Sequence, residues 1–222
     1  MTIFILGTPE ETAKALDDKA LGKMVSACAQ VLCNAQCELT LFDGGYSMDW
    51  KNKPPLGGKD INSEWSKWAR ECRANYLELV EYASACCVEY IYRTLEWPNV
   101  IAKEHKHQAV ITWCADNVPD LPLFQPGLSA ELTVSWTLNE LSKLPMPFPL
   151  VMPDKYKFIQ NSEPELIESY RAYYKAKLRK RLEKCSSTFG TPNEISGGCK
   201  EKNNQVEIKW TRRQKSEWLG DL

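Results

Sequence analysis

From Leu16 to Leu32 the chain reads LDDKALGKMVSACAQVL, and its apolar positions recur with the period of an α-helix. At 100° per residue Ala20, Leu21, Met24, Ala27, Cys28, Val31 and Leu32 share one broad arc, and Asp18, Lys19, Gly22, Lys23, Ser26 and Gln30 share the other. The pattern predicts an amphipathic helix over Asp18–Ala35. Asp17 falls among the apolar positions, where a carboxylate fits as an N-cap that accepts from amides of the first turn. The polar arc sets Lys19, Lys23 and Gln30 in one row with Asp18 as the nearby acid. Gly22 costs this helix about 1 kcal/mol relative to Ala, which implies that something approaches closely there.

The same spacing recurs downstream. Trp65, Trp68, Cys72, Tyr76, Leu79, Ala83, Cys86, Tyr90 and Ile91 follow at three- and four-residue steps, predicting a central helix over Glu64–Thr94 that carries Glu89 and Arg93 as an i,i+4 pair. Ala102–Asn117 is a further predicted helix, with Val110, Trp113 and Cys114 inward. His105, Lys106 and His107 stand near its start, where free amides and the helix dipole suit an anion. Glu163–Lys184 turns Leu166, Ile167, Tyr170, Tyr173, Tyr174, Leu178 and Leu182 inward and interleaves them with Arg171, Lys175, Arg179 and Lys180. Such interleaving suits base stacking with phosphate contacts, or equally a core stripe with a basic edge.

Between these helices the signals are those of breaks and loops. Thr2–Gly7 is a short apolar run closed by Gly7 and Pro9, a buried strand or an extended lead-in. The Gly, Pro, Asn and Asp density from Phe42 to Asn62 predicts a long loop. Seven prolines between 118 and 153 exclude long helices there, except over Ser129–Leu144, and predict a segment that wraps the core. The expected architecture is mainly α: a single compact helical domain with Pro-rich wrapping loops. Residues 1–184 form its helical core, 185–205 a mobile loop, and 206–222 a basic and aromatic C-terminal segment of the same domain.

Charge alters this picture more than composition does. The net charge is −1, yet residues 1–169 hold 15 basic against 23 acidic residues while 170–222 hold 13 against 6. A basic end on a near-neutral chain is a footprint of phosphate contact, so DNA or a nucleotide phosphate is the expected partner. Nine cysteines without a Cys-x-x-Cys pair read as reduced, apolar core residues of a cytoplasmic protein. With only two histidines, a four-ligand zinc site is not expected, nor is any other metal or cofactor. No run is long enough to span a bilayer and no signal peptide is evident, so no membrane partner is expected.

The LDDKALGK segment resembles the LDxKxLGK opening of phage and bacterial proteins grouped with the pyrimidine-dimer DNA glycosylases. The segment resembles even more closely a set of phage proteins with a DKHxxKM version of it, whose further motifs stand in order along most of the chain: Trp68-Ala69-Arg70, Asn75-Tyr76, Glu89-Tyr90 with Arg93, and His105-Lys106. They continue with Met152-Pro153 before Tyr156-Lys157, Tyr170-Arg171 with Tyr173-Tyr174, and Lys209-Trp210 with Arg213. The resemblance implies a catalytic set of Thr2, Asp18, Glu89 and His105, with Thr2 attacking the sugar through its α-amine once Met1 is removed. Where those enzymes carry their assisting Glu this chain has Met24, so Asp18 or Glu89 takes the supporting carboxylate role. Motifs and charge together give as candidate substrate or phosphate contacts Lys19, Lys23, Gln30, Arg70, Asn75, Arg93, Lys106, Tyr170, Arg171, Tyr174, Lys209 and Trp210.

Three functions fit these residues. The first is a phage-type DNA-processing protein that acts on a pyrimidine base as a glycosylase and abasic-site lyase. The second is a transferase in phage thymine hypermodification, in which an amine replaces pyrophosphate on a 5-hydroxymethyl pyrimidine. The third is a non-catalytic module that binds DNA or a nucleotide. Convergence of Asp18, Lys19, Glu89, Arg93 and His105 on one pocket would favour an enzyme or ligand site, and a flat basic face would favour simple DNA binding.

Overall fold

The computed structural model describes residues 3–42, 45–50, 54–56, 58–95, 103–121, 148–157, 163–186 and 208–220, with side chains for all of these but 38–50, 163 and 184–186. The chain folds into a mainly helical, compact domain. Its elements are α1 (Pro9–Ala15), α2 (Asp18–Ala35), β1 (Cys37–Phe42), β2 (Gly45–Trp50), α3 (Glu64–Glu71), α4 (Arg73–Thr94), α5 (Gln108–Asp116) and α6 (Glu163–Ser186). Single 3₁₀ turns cover Asp154–Tyr156 and Glu217–Leu219.

The predicted start of α2 is where the structure places it. Asp17 is the N-cap and accepts from the Lys19 and Ala20 amides at 3.2 and 3.4 Å. The apolar arc of α2 is buried from Leu21 to Ala35 and packs on α3, α4 and α5, while α4 also carries α1. The Sγ atoms of Cys33 and Cys114 lie 3.8 Å apart where α2 meets α5. The seven cysteines with described side chains are buried and form no disulfide. Burial pushes the Cys28 and Cys86 thiols well up, and that of Cys87 to about 11, so these side chains pack as neutral hydrophobes.

The helix expected over Glu64–Thr94 is two helices. Cys72 is extended (φ −155°, ψ 162°), and the buried Asn75 amide donates to the Trp68 carbonyl at 2.8 Å, satisfying an acceptor at the end of α3. The apolar steps run unbroken through Cys72, because the two helices bury the same face, and so periodicity conceals the break. The helix expected over Ala102–Asn117 begins only at Gln108, after a turn at Lys106–His107.

Residues 3–7 form a buried, extended lead-in with no strand partner among the described residues. Its polar backbone is satisfied by side chains instead: the Leu6 amide donates to Thr12 Oγ1, and the Gly7 carbonyl accepts from Thr12 and Tyr82. The short helix α1 that follows is not predicted by the apolar pattern. Thr8 and Glu11 form a capping box with Pro9 at the first turn, a signal present in TPEE. Gly7 (φ +154°) admits it, since a Cβ there would meet the Glu11 carboxylate at 2.3 Å.

Within the loop expected over Phe42–Asn62, β2 pairs antiparallel with the preceding β1, with Cys37 opposite Trp50 and Phe42 opposite Gly45. Asp43-Gly44-Gly45 between two alternating runs is a hairpin signal that outweighs loop composition. The proline-rich 122–147, the 185–205 loop except for its first two residues, and Thr2 lie outside the described residues. Among the described residues no helix is long and apolar enough to cross a membrane.

Candidate functional site

Two charged assemblies share the first turn of α2. One is closed on itself. Arg93, buried near the end of α4, donates to Glu89 Oε1 (2.7 Å), Asp18 Oδ1 (2.9 Å), and the carbonyls of Leu16 (2.7 Å), Ala13 (3.2 Å) and Lys14 (3.0 Å). One guanidinium thus satisfies the carboxyl end of α1 and ties it to α2 and α4. Arg213 completes the set with a bidentate bond to Glu89 (3.0 and 2.9 Å), its guanidinium lying 4.2 Å from the Tyr92 ring centroid. Burial alone would raise the Glu89 carboxyl, but hydrogen bonds from Arg213 and Arg93 outweigh it and hold the group below the usual carboxylate range.

The C-terminal segment docks on the same assembly. Asp18 accepts from the Thr211 hydroxyl at 2.6 Å and from its amide, while the Asp18 amide donates to the Lys209 carbonyl at 2.8 Å. The Trp210 indole donates to the Ala15 carbonyl at 3.0 Å. Asp18, Glu89, Arg93, Lys209 and Trp210 therefore do come together, but as mutual partners. Each carboxylate is ion-paired, and the indole N–H is taken by the backbone.

The other assembly is an open groove of about 550 Å³ between α2 and α6. Lys19, Ala20, Lys23 and Ser26 form the α2 wall, Tyr174, Lys177, Leu178 and Arg181 the α6 wall, and Phe4 joins them. Lys19 and Lys23 are exposed and make no ion pair among the described residues. The acid bordering the groove is Asp17, which is 1 % exposed, receives the Arg181 guanidinium at 3.0 and 3.1 Å, and accepts the Tyr174 hydroxyl proton at 2.8 Å. Two other grooves carry carboxylates in their linings: Glu10, Glu81 and Glu89 along α1 and α4, and Asp60 and Glu64 at the start of α3. Among the described residues the α2–α6 lining has none.

The remaining predicted residues are dispersed. His105 lies under α2, edge-on to the Tyr90 ring, with Nε2 facing the Gly22 backbone; the close approach that Gly22 implied is therefore that of His105 and Tyr90. Nδ1 of His105 accepts the His107 amide at 3.2 Å. Burial first, then His107 and Lys106, push the His105 imidazole below its ordinary value, so it is held neutral with both nitrogens engaged. Lys106 is exposed beside it. The Gln30 amide donates to Asn34 Oδ1 at 3.1 Å. Arg70 is half-buried at the end of α3, where burial lowers its affinity for its proton. Asn75 caps α3, Tyr170 is fully buried and donates to the Pro149 carbonyl, and Arg171 donates to the Leu6 carbonyl at 3.0 Å.

Lys177, Arg181 and Phe4 belong to the groove although sequence reasoning passes over them. The available signal is the shared helical face of Tyr174, Lys177, Leu178 and Arg181. Among the described residues no group of three His, Cys, Asp or Glu side chains is placed to hold a metal ion. No family model, curated protein or solved structure matches the chain.

Proposed function

We propose that this chain binds phosphates of DNA or of a nucleotide in the α2–α6 groove, as the binding module among the three functions that its motifs suggest. The observation behind this reading is the gathering of Lys19, Lys23, Lys177 and Arg181 in a lining that among the described residues contains no carboxylate, with Asp17 beside it answering Arg181 alone of the four. Facing walls of like charge repel one another, and an anion between them relieves that repulsion. The catalytic readings lose support on the same geometry, because Asp18 and Glu89 are ion-paired away from the groove and His105 lies in the core.

Fluorescence anisotropy with labelled oligonucleotides at low ionic strength tests the proposal. Binding should weaken steeply with salt, and Lys19→Gln/Lys23→Gln should weaken it further. Absence of binding at low salt, or binding indifferent to both lysines, would refute it. Borohydride treatment on abasic DNA checks the glycosylase-like chemistry that the resemblance attaches to Thr2: a covalent adduct would turn the module into a lyase.

A further inference from the structure

The basic rows of this protein are interleaved with aromatic residues, the usual signature of base stacking on single strands. Stacking needs a ring with an open face. Of the two rings in the groove, Tyr174 is 1 % exposed, with its hydroxyl held by Asp17, and Phe4 is 7 % exposed. Phe4 also meets the Tyr174 ring edge-on at 4.9 Å and has Lys177 Nζ 5.1 Å from its centroid. The rings beside the groove are engaged as well. Tyr173 lies under Lys177 Nζ at 4.6 Å and against Tyr156 at 5.4 Å, and Trp218 lies under Arg171 at 5.4 Å and beside Tyr174.

The cations, by contrast, have a regular spacing. Lys19 and Lys23 on one wall, and Lys177 and the Asp17-bonded Arg181 on the other, are i,i+4 pairs, each repeating at about 6 Å along its helix. That repeat is close to the separation of successive phosphates in an extended strand.

Resting on the phosphate-binding reading above, we infer that the groove takes the phosphodiester backbone of one nucleic-acid strand and leaves the bases outside, so that binding is blind to sequence and to the presence of a base. Phosphate contacts position a strand without reading it, and among the described residues the groove offers no open π-face to add the reading.

The experiment compares oligothymidylate, oligoadenylate and a fully abasic strand of equal length, titrated into the full chain over a range of salt. The three affinities should agree within about threefold and share one salt slope, and Lys19→Gln/Lys23→Gln should reduce that slope by about 0.7 for each phosphate no longer neutralised, equally for all three. Lys177→Gln should do the same from the opposite wall. A drop of about tenfold or more on the abasic strand, or a like preference between the two homopolymers, overturns base-blind binding while leaving phosphate binding intact. Failure of all three strands to bind overturns both.

Discussion

The two charged assemblies that meet at the first turn of α2 use the same residue types to opposite ends. In the closed one Asp18, Arg93, Glu89 and Arg213 form an alternating chain of acid and base in which each group is held by the next. In the open one Lys19, Lys23, Lys177 and Arg181 gather around a single buried acid. A charge-matched, largely buried set fixes helices relative to one another, with its charges already answered by one another. A set whose cations outnumber its one acid, with Lys19 and Lys23 exposed, creates the field that an anionic partner would complete. Residues one position apart, Asp18 and Lys19, thus fall on different sides of the division between folding and binding.

The largest expected effect lies in the closed assembly. Arg93→Met should lower unfolding free energy in urea by about 3–5 kcal/mol, because it strands three carbonyls and removes one partner each from Asp18 and Glu89. A decrease below about 1 kcal/mol would mean that Arg93 is not the tie between α1, α2 and α4.

Charge reversal in the open assembly should separate the two roles. Lys19→Glu/Lys23→Glu should weaken oligonucleotide binding by at least about tenfold, or about 1.4 kcal/mol, at low salt. It should leave thermal stability within about 0.5 kcal/mol of the parent. Unfolding on reversal would make the lysines structural and erase the contrast.

Acid should reach the core through the imidazoles before it reaches the carboxylates. The folded values of His105 and His107 lie below their ordinary value, so the unfolded chain takes up protons first. Stability is complete above about pH 6.5 and falls, by up to about 1.4 kcal/mol per pH unit per proton, as pH drops through the folded values. Glu89, likewise depressed, adds a second decline that begins near the ordinary carboxylate range. His105→Gln should flatten the first arm of a stability–pH curve and leave the second; no change in the first arm would exclude His105 as its source. The smallest effect expected is that of Trp210→Phe, which keeps an aromatic ring and removes the bond to Ala15, at about 1 kcal/mol by thermal denaturation.

Much of this organisation is legible from residue order. The Asp17 cap, the register of α2 and the polar row of Lys19 and Lys23 follow from local rules, because a helix orients its side chains by sequence spacing alone. The division between α3 and α4 is hidden because both helices bury one continuous apolar stripe. Of the candidate site, residue order reveals one wall. The opposite wall depends on how α6 lies beside α2, which no local period encodes. Nor does periodicity separate a tyrosine that stacks on a base from one that packs in a core: Tyr170 and Tyr174 stand at stacking intervals and prove to be buried. Likewise, spacing gives Glu89 and Arg93 only as an i,i+4 pair until Asp18 and Arg213 arrive from distant parts of the chain.

Those distant arrivals bear on how fast the protein can fold. The first turn of α2 is completed by groups far along the chain: Tyr174 bonds Asp17 across 157 residues, Thr211 reaches Asp18 across 193, and Trp210 reaches Ala15 across 195. Helical proteins rich in local contacts close their loops early and fold quickly, whereas here the end of α1 and the start of α2 wait for most of the chain to come round. A stopped-flow chevron should therefore give refolding slower than helix content alone suggests. Trp210→Phe should act mainly on the unfolding limb, since an interaction closed across so long a loop forms late.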